Sequence, residues 1–599
     1  MRTLSPIIVV GGGHAGIEAA HAAARLGADV LLLTLKRDAL ARLSCNPAIG
    51  GIGKGHLVRE IDALGGVMGL AADLAGIHFR VLNRSRGPAV HGPRAQMDHD
   101  RYPDTIARLI AAQPRITIVE GEAAGFVVER GRLAGLETAD GRVFPAAAAV
   151  VTTGTFLRGL LFRGEDVTPG GRVGEAPANA LSASLGALGL ALGRFKTGTP
   201  PRLLRDSLDF AGLERQPGDD VPRPFSFTHP AGRFVPPLPQ TVTHLVHSNP
   251  RTHELVRANL HLSPLYAGRI RAKGPRYCPS FEDKVVRFAD RDRHLLHLEP
   301  LGLEHPWIYV NGLSTSLPPE VQEELVHSVE GLGTARIARH GYAVEYDYVP
   351  PTQLAPTLET RALPGLFLAG QICGTTGYEE AAALGLVAGA NAALRARDRP
   401  TWVPDRLGSY IGVMVDDLTT SGVLEPYRMF TSRAEARLSL SSDTADCRLT
   451  PQAATLGLVA PAQAARCRER WTAIEHARAG LEAGGGADRI RRGEEPGPIL
   501  GPLPGLDEPD IETLVALVRY RGYLEREQRE VSRLRELDAV RIPPAFRFRG
   551  TPGLSNEVCD RLEEVRPSSL GQASRIPGMT PAALALLAAA VGQRREAAS

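Results

Sequence analysis

The first hydrophobic signal along the chain is Ile7-Ile8-Val9-Val10, four apolar residues with no polar alternation. A strand buried on both faces reads this way, as in a parallel sheet covered by helices. Gly11 to Gly16 interrupt the run, Ile17 to Leu26 are alanine-rich with helical character, and Ala28 to Leu33 form a second apolar run. Residues 4–35 are therefore predicted to be strand, glycine turn, helix, strand. Residues 143–157 predict a further buried strand ending in a Thr/Gly turn, and residues 365–395 repeat the strand–turn–helix order. Residues 206–240 are proline-rich without a period and predict a loop or small inserted unit. Beyond about residue 400, glycine turns give way to Arg/Glu/Leu/Ala helices. Residues 484–509 read as a linker, residues 511–537 as a mixed-charge helix, and residues 550–599 as a small helical unit. No internal repeat is visible.

Composition narrows the class. The chain has 599 residues, 43% hydrophobic and 23% charged, which is ordinary globular usage. A chain of this length buries a large core without staples, excluding a disordered protein and a disulfide-dependent miniprotein. The 64 glycines and 46 prolines carry no collagen-like period. A net charge of +3 permits a nucleic-acid partner without pointing to one. Only five of the 69 basic residues are Lys, and Lys54, Lys196, Lys273 and Lys284 fall in motif-dense segments. Six scattered cysteines without a C-x-x-C pair predict neither structural zinc nor thioredoxin-like chemistry. No His/Cys/Asp cluster has metal-ligand spacing, so no metal is expected. The N-terminus lacks the charged, apolar and small-residue order of a signal peptide. The longest apolar stretch, Ala381 to Leu394, is too short to span a bilayer. The expectation is a soluble cytoplasmic protein with no membrane partner.

Candidate chemistry begins at Gly11-Gly12-Gly13-His14-Ala15-Gly16, a G-x-G-x-x-G between a strand and a helix. The first Gly permits the tight turn, the second lets backbone approach a pyrophosphate, and the third lets helix and strand pack closely. The helix N-terminus then offers free N–H groups and a positive dipole end to the phosphates. The second strand ends at Thr34 rather than at the usual acidic residue. Leu366-Phe367-Leu368-Ala369-Gly370 resembles the second flavin-binding segment of two-part FAD enzymes, with Gln371 where those place Asp. Val151-Thr152-Thr153-Gly154 resembles their middle motif. Ala48 to Gly55 lacks the first Gly and the hydroxyl residue of a phosphate-binding P-loop, which excludes nucleotide hydrolysis there.

Five further segments are more particular. They are Ser44 to Gly51 (SCNPAIGG), Lys196 to Arg202 (KTGTPPR), Gly274 to Lys284 (GPRYCPSFEDK), Gly374 to Ala381 (GTTGYEEA) and Glu425 to Glu435 (EPYRMFTSRAE). With Gly553 to Glu557 and Arg575 to Gly578, they closely resemble the MnmG (GidA) family, and the resemblance runs through the whole chain. It implies an α/β, Rossmann-like two-part FAD-binding fold with an inserted domain and an all-helical C-terminal region. The parts would be 1–200 (first FAD part), 201–275 (inserted domain, its end associated with NAD), 276–397 (second FAD part), 398–549 (helical domain) and 550–599 (partner-docking tail).

The resemblance also implies an activity. The family's flavoprotein subunit, reduced by NADH and working with the GTPase MnmE, adds an aminomethyl or carboxymethylaminomethyl group to C5 of the tRNA wobble uridine. Methylenetetrahydrofolate is the one-carbon donor, and glycine or ammonium supplies the amine. The implied assembly is a homodimer that joins MnmE in a heterotetramer. FAD contacts map onto Gly11, Gly12, Gly13, His14, Ala15 and Gly16, onto Ala123 and onto Gln371, with Gly154 and Gly370 in the accompanying motifs. The NAD-binding segment maps onto Gly274, Pro275, Arg276, Tyr277, Cys278, Pro279, Ser280, Phe281, Glu282, Asp283, Lys284, Val285, Val286, Arg287 and Phe288. The two functionally important cysteines map onto Cys45 and Cys278. Cys373 stands where the family usually has Asn, and Ala436 where it usually has Tyr.

The residue types suit this chemistry. C5 of uracil is a poor nucleophile, and a thiolate added at C6 makes it enolate-like. Cysteine is the strongest side-chain nucleophile for that step, and neighbouring cations raise its thiolate fraction. Either cysteine fits the role, and transfer of the one-carbon unit through reduced flavin remains the alternative route. His14 reads as a residue supporting the phosphate turn rather than a general base. Glu282-Asp283 and Asp416-Asp417 read as surface charge or helix caps before acid–base groups. Cys373, Cys447, Cys467 and Cys559 read as small buried residues. Arg519-Tyr520-Arg521-Gly522-Tyr523 reads equally as a base-stacking stretch or an amphipathic helix start. Thr580-Pro581 predicts a capped docking helix. The competing readings are a folate-dependent T-loop uridine methyltransferase, which lacks the long helical C-terminal region, and a flavin-stabilised RNA-binding scaffold without catalysis. A flavin disulfide reductase would need a C-x-x-x-x-C pair, which Cys45 lacks.

Overall fold

The computed structural model describes residues 5–229, 234–276 and 279–596, with side chains to residue 592. The fold class is α/β. Its centre is a five-stranded parallel sheet in the order Leu366–Leu368, Ala148–Val151, Ile7–Val10, Val30–Thr34, Ile116–Glu120. Ile8, Val9, Ala149, Val150, Phe367 and Leu368 are fully buried, which is why these strands read as uninterrupted apolar runs. The first strand occupies the middle, with Ile7 beside both Ala148 and Val30.

Two helices close one layer. His14–Arg25 follows the glycine turn, and Tyr378–Ala396 follows the last strand. A side-chain carbon on Gly385 would lie 2.0 Å from the Ala15 carbonyl oxygen, and one on Gly389 2.1 Å from that of Ala19. The helices therefore touch backbone to backbone, one turn apart. The apolar stretch Ala381 to Leu394 is this buried helix, and no helix among the described residues is long and apolar enough to cross a membrane.

Antiparallel units are built onto this frame. A six-stranded sheet runs Glu214–Gln216, Thr243–His247, Leu295–Pro300, Trp307–Asn311, Arg202–Leu204, Ile337–Arg339. Its core of Leu203, Val246, Phe281, Leu296, Ile308 and Leu325 is separate from the main core. This sheet extends on both sides of residue 275, where the sequence predicts a boundary. A four-stranded sheet, Asp166–Pro169, Leu160–Arg163, Tyr342–Tyr348 and Gly193–Thr199, lies in the same stretch of chain. Residues 143–157 differ from the single strand expected. Val143–Pro145 is the edge of a small meander and only Ala148–Val151 enters the parallel sheet. Pro145 lacks the N–H that continued pairing needs.

The C-terminal third is helical. The segment 484–509 differs from the linker expected: Gly486–Arg491 and Gly497–Leu500 are helices, and Ala487 and Ile490 pack with Ile474, Leu481, Leu514 and Val518. The predicted mixed-charge helix is two, Glu508–Arg519 and Arg521–Ala539, the second with no buried residue. The tail has its own core of Ile542, Phe546, Phe548, Leu562, Leu587 and Val591. Thr580 Oγ1 accepts the Ala583 N–H at 3.1 Å, so the predicted cap forms.

Candidate active site

All the motif segments leave the parallel sheet at its C-terminal end, where open α/β sheets place their ligands. At the glycine turn, Gly11 has φ +105°, a region closed to most side chains. A carbon on Gly16 would lie 1.8 Å from the Gly11 carbonyl oxygen, while one on Gly13 would meet nothing within 4 Å. The turn thus packs tightly at its first and third glycines and opens a bare cradle at the second. Thr152 Oγ1 donates to the Val10 carbonyl at 2.7 Å, tying the middle motif to the first strand. Gly370 abuts Ala15, and Gly154 abuts the Gln371 amide oxygen. Ala123 is buried at the start of the strand that follows Ile116–Glu120. Gly121 N donates to Thr34 O at 3.0 Å, holding this edge beside the second strand.

The buried atoms around the turn fit a dinucleotide. Thr153 Oγ1 and His14 Nε2 are buried without a hydrogen-bond partner, which is costly unless a ligand satisfies them. Burial lowers the His14 pKa to about 4, against partial opposition from Glu379. The imidazole is neutral at ordinary pH, in line with a supporting role. It stacks on Tyr378 at 4.5 Å and on Tyr102 at 5.7 Å between ring centres.

The five particular segments converge here. The Tyr378 hydroxyl oxygen accepts the N–H of Cys45 at 2.6 Å and of Asn46 at 3.2 Å. From the other side, Arg202 Nη2 donates to the carbonyls of Ser44 and Cys45, both at 3.2 Å. The half-buried Cys45 thus sits on backbone gripped at its donors and at its acceptors. Lys54 Nζ lies 2.6 Å from both Glu379 and Glu380. Burial alone would lower the Lys54 ammonium, but the two carboxylates reverse this and raise its pKa. Burial likewise opposes the Glu379 carboxylate, and Lys54 carries it below its ordinary range. Glu379 Oε1 also takes the Gly50 N–H at 2.7 Å, and Glu380 Oε1 the Met429 N–H at 3.0 Å. The Cys45 loop, the Tyr378 helix and the Glu425–Glu435 segment are therefore one hydrogen-bonded body.

The segment from Gly274 joins the same body. Lys273 O accepts the Lys196 N–H at 3.1 Å, and Gly274 packs on the Lys196 side chain. Phe195 stacks on Tyr348 at 3.8 Å beside Gly374. Arg276 pairs with Glu425 at 3.2 Å, and Tyr427 exchanges backbone hydrogen bonds with Gly374 and Thr376. Tyr277 and Cys278 lie outside the described residues. Ser280 caps the helix Phe281–Arg287 through the Asp283 N–H. Glu282 is buried and accepts from Thr315 Oγ1 at 2.9 Å, and Lys284 Nζ donates to Gly312 O at 2.8 Å. Val286 and Phe288 are exposed, so this short helix turns an apolar edge outward.

Other candidates resolve into framework. Asp416 and Asp417 hold Arg406 at 3.1 and 2.6 Å, and Asp416 also holds Arg575 at 2.7 Å. They are ion-pair anchors rather than surface charge or acid–base groups. Burial pushes the Cys373 thiol up, and raises Cys447 and Cys467 to about 12, so these thiols are inert. Tyr520 lines a cavity of about 1180 Å³ with Arg519, Arg521 and Trp471, away from the glycine turn. Tyr523 is 66% exposed and does not pack inward. Tyr378 and Arg202 have no assigned role in the sequence reading. Their motifs carry the only signal, because their partners lie far along the chain.

Comparison with known proteins matches this arrangement. Residues 6–400 match the family model described as glucose inhibited division protein A, and residues 530–599 match that of the tRNA modifying enzyme MnmG/GidA C-terminal helical bundle. The chain belongs to the MnmG/GidA family. Among MnmG proteins, the tRNA uridine 5-carboxymethylaminomethyl modification enzyme of Myxococcus xanthus is 49% identical, over 99% of this chain and 98% of its own. The enzyme of that name from Rhodopirellula baltica is 47% identical over 97% of this chain and 92% of its own. A crystal structure of Aquifex aeolicus GidA superposes with a TM-score of 0.91 at 43% identity, covering 98% of both chains.

Proposed function

We propose that this protein is the FAD- and NADH-dependent subunit of a tRNA wobble-uridine modification enzyme. With the GTPase MnmE, it adds a carboxymethylaminomethyl or aminomethyl group to C5, using methylenetetrahydrofolate and glycine or ammonium. The observation that carries this reading is the gripped Cys45 loop beside an open dinucleotide cradle, in a chain 49% identical to an enzyme bearing that name. The cradle at Gly11 to Gly16, with Thr153, Gly154 and Gln371, would hold FAD. Bound there, FAD supplies hydride chemistry. The segment Gly274 to Phe288 is assigned to NADH, with Val286 and Phe288 as the exposed apolar edge beside it. Cys45 and Cys278 are assigned the nucleophilic roles. A thiolate added to uracil C6 makes C5 nucleophilic toward the one-carbon donor, and its later departure restores the ring. The tail beyond residue 550 is assigned to partner docking, in a cytoplasmic homodimer that joins MnmE.

Mass-spectrometric analysis of tRNA nucleosides tests this in cells lacking the protein. The modified wobble uridines are expected to disappear and to return with wild type, but not with Cys45→Ser or Cys278→Ser. Loss of T-loop methyluridine instead would overturn the assignment.

A further inference from the structure

The Tyr378 hydroxyl has more contacts with the Cys45 loop than a structural ring requires. A phenol oxygen has two acceptor lone pairs and one O–H to donate. The N–H groups of Cys45 and Asn46 occupy the acceptor side, at 2.6 and 3.2 Å. The O–H is left to donate on the remaining side. The Cys45 thiolate is close enough to raise the Tyr378 pKa, so sulfur and hydroxyl share one electrostatic neighbourhood. Meanwhile the ring itself is held over His14, at 4.5 Å and 21° between planes. The hydroxyl and the ring thus have separate tasks. We propose that Tyr378 is the positioning residue for Cys45, its oxygen fixing the backbone under the thiol and its O–H donating to the sulfur when the thiol ionises. This rests on the reading of Cys45 as a nucleophile. Among the described residues, the other charged groups facing the loop are Arg202, from the Lys196–Arg202 segment, and the Lys54–Glu379–Glu380 triad. Arg202 favours the thiolate as a cation. Lys54 is held by the two carboxylates. Tyr378 is the group whose removal changes a direct donor to sulfur without changing net charge.

The test is the pH dependence of Cys45 alkylation by iodoacetamide in the flavin-loaded full-length protein, read by peptide mass spectrometry. Tyr378→Phe keeps the ring on His14 and removes the hydroxyl. It is expected to move the alkylation midpoint up by about one pH unit, slowing the reaction at neutral pH about tenfold. Flavin content and absorbance should stay at the wild-type level. A pH profile that overlays wild type overturns the proposal. If Tyr378→Phe folds poorly, 3-fluorotyrosine at position 378 gives the second measurement. Its more acidic phenol is a stronger donor and is expected to move the midpoint down, and an unmoved midpoint overturns the proposal. The alkylation involves no RNA, so its failure leaves the nucleoside test standing. Conversely, wild-type nucleosides from Cys45→Ser would overturn the functional reading without touching the alkylation result.

Discussion

At the residue scale, the glycine turn separates two demands that look identical in the sequence. Gly16 has no room for a methyl group, whereas Gly13 faces open space. Gly16→Ala is therefore expected to destabilise the fold by about 1–3 kcal/mol, as overpacking does, with a lower thermal midpoint. Gly13→Ala is expected to leave that midpoint within about 0.5 kcal/mol of wild type, yet to lower the flavin retained on purification. Measuring both variants for melting and for flavin absorbance distinguishes the packing glycine from the ligand glycine. The glycine turn was legible because strand, turn and helix are contiguous. The Tyr378–Cys45 contact was not, because 333 residues separate its partners. Glu282 illustrates the same limit. Its neighbours in sequence suggested a surface charge, and only the fold brings Thr315 and Ser316 onto its carboxylate.

At the element scale, buried carboxylates join helices that are distant in the chain. Glu60 lies within the helix Lys54–Ala63, and its two oxygens accept the N–H groups of Tyr410 and Ile411, each at 2.9 Å. These are unpaired donors of the first turn of the helix Tyr410–Asp416, so Glu60 acts as a cap supplied from another element. Arg448 neutralises it at 3.1 Å. Glu60→Ala is expected to cost about 3–5 kcal/mol, the range for breaking a buried pair. Urea denaturation of the flavin-loaded protein measures it. Asp73 does the same for the backbone of Phe225 and Ser226. Periodicity finds a helix but not the side chain that caps it from elsewhere, and so these roles were invisible before the fold was known. The segment 484–509 was misread for a related reason. Its glycines and prolines outweigh a few apolar residues such as Ile490, yet those few have a waiting surface on Ile474 and Leu514.

At the scale of the whole molecule, the tail is a unit with its own core, joined to the rest by few side chains. Arg575 bridges Asp416 and Asp538, and Arg361 donates to the Val565 carbonyl. A chain ending at Ala539 is expected to retain its flavin and lose co-elution with the partner GTPase. Size-exclusion chromatography with absorbance at the flavin band reads both results at once. Loss of flavin on truncation would show that the tail supports the cradle instead. The α/β class, the parallel centre and the helical C-terminal third were all legible in the sequence, because each rests on local pattern. The six-stranded sheet was not, because its strands pair across a segment that carries no period of its own.

The backbone contact of Gly385 and Gly389 with Ala15 and Ala19 also sets a timetable. The helix His14–Arg25 is among the first elements made, and all of it except Arg25 is buried in the finished protein. Its covering helix, Tyr378–Ala396, emerges some 360 residues later. At synthesis rates of about 5–20 residues per second, the early helix waits about 20–70 seconds for its partner. The antiparallel sheet between them has a core of its own and can close in the interval. The nascent chain thus carries an uncovered apolar helix for much of its birth, a standing demand on the chaperones that meet it at the ribosome.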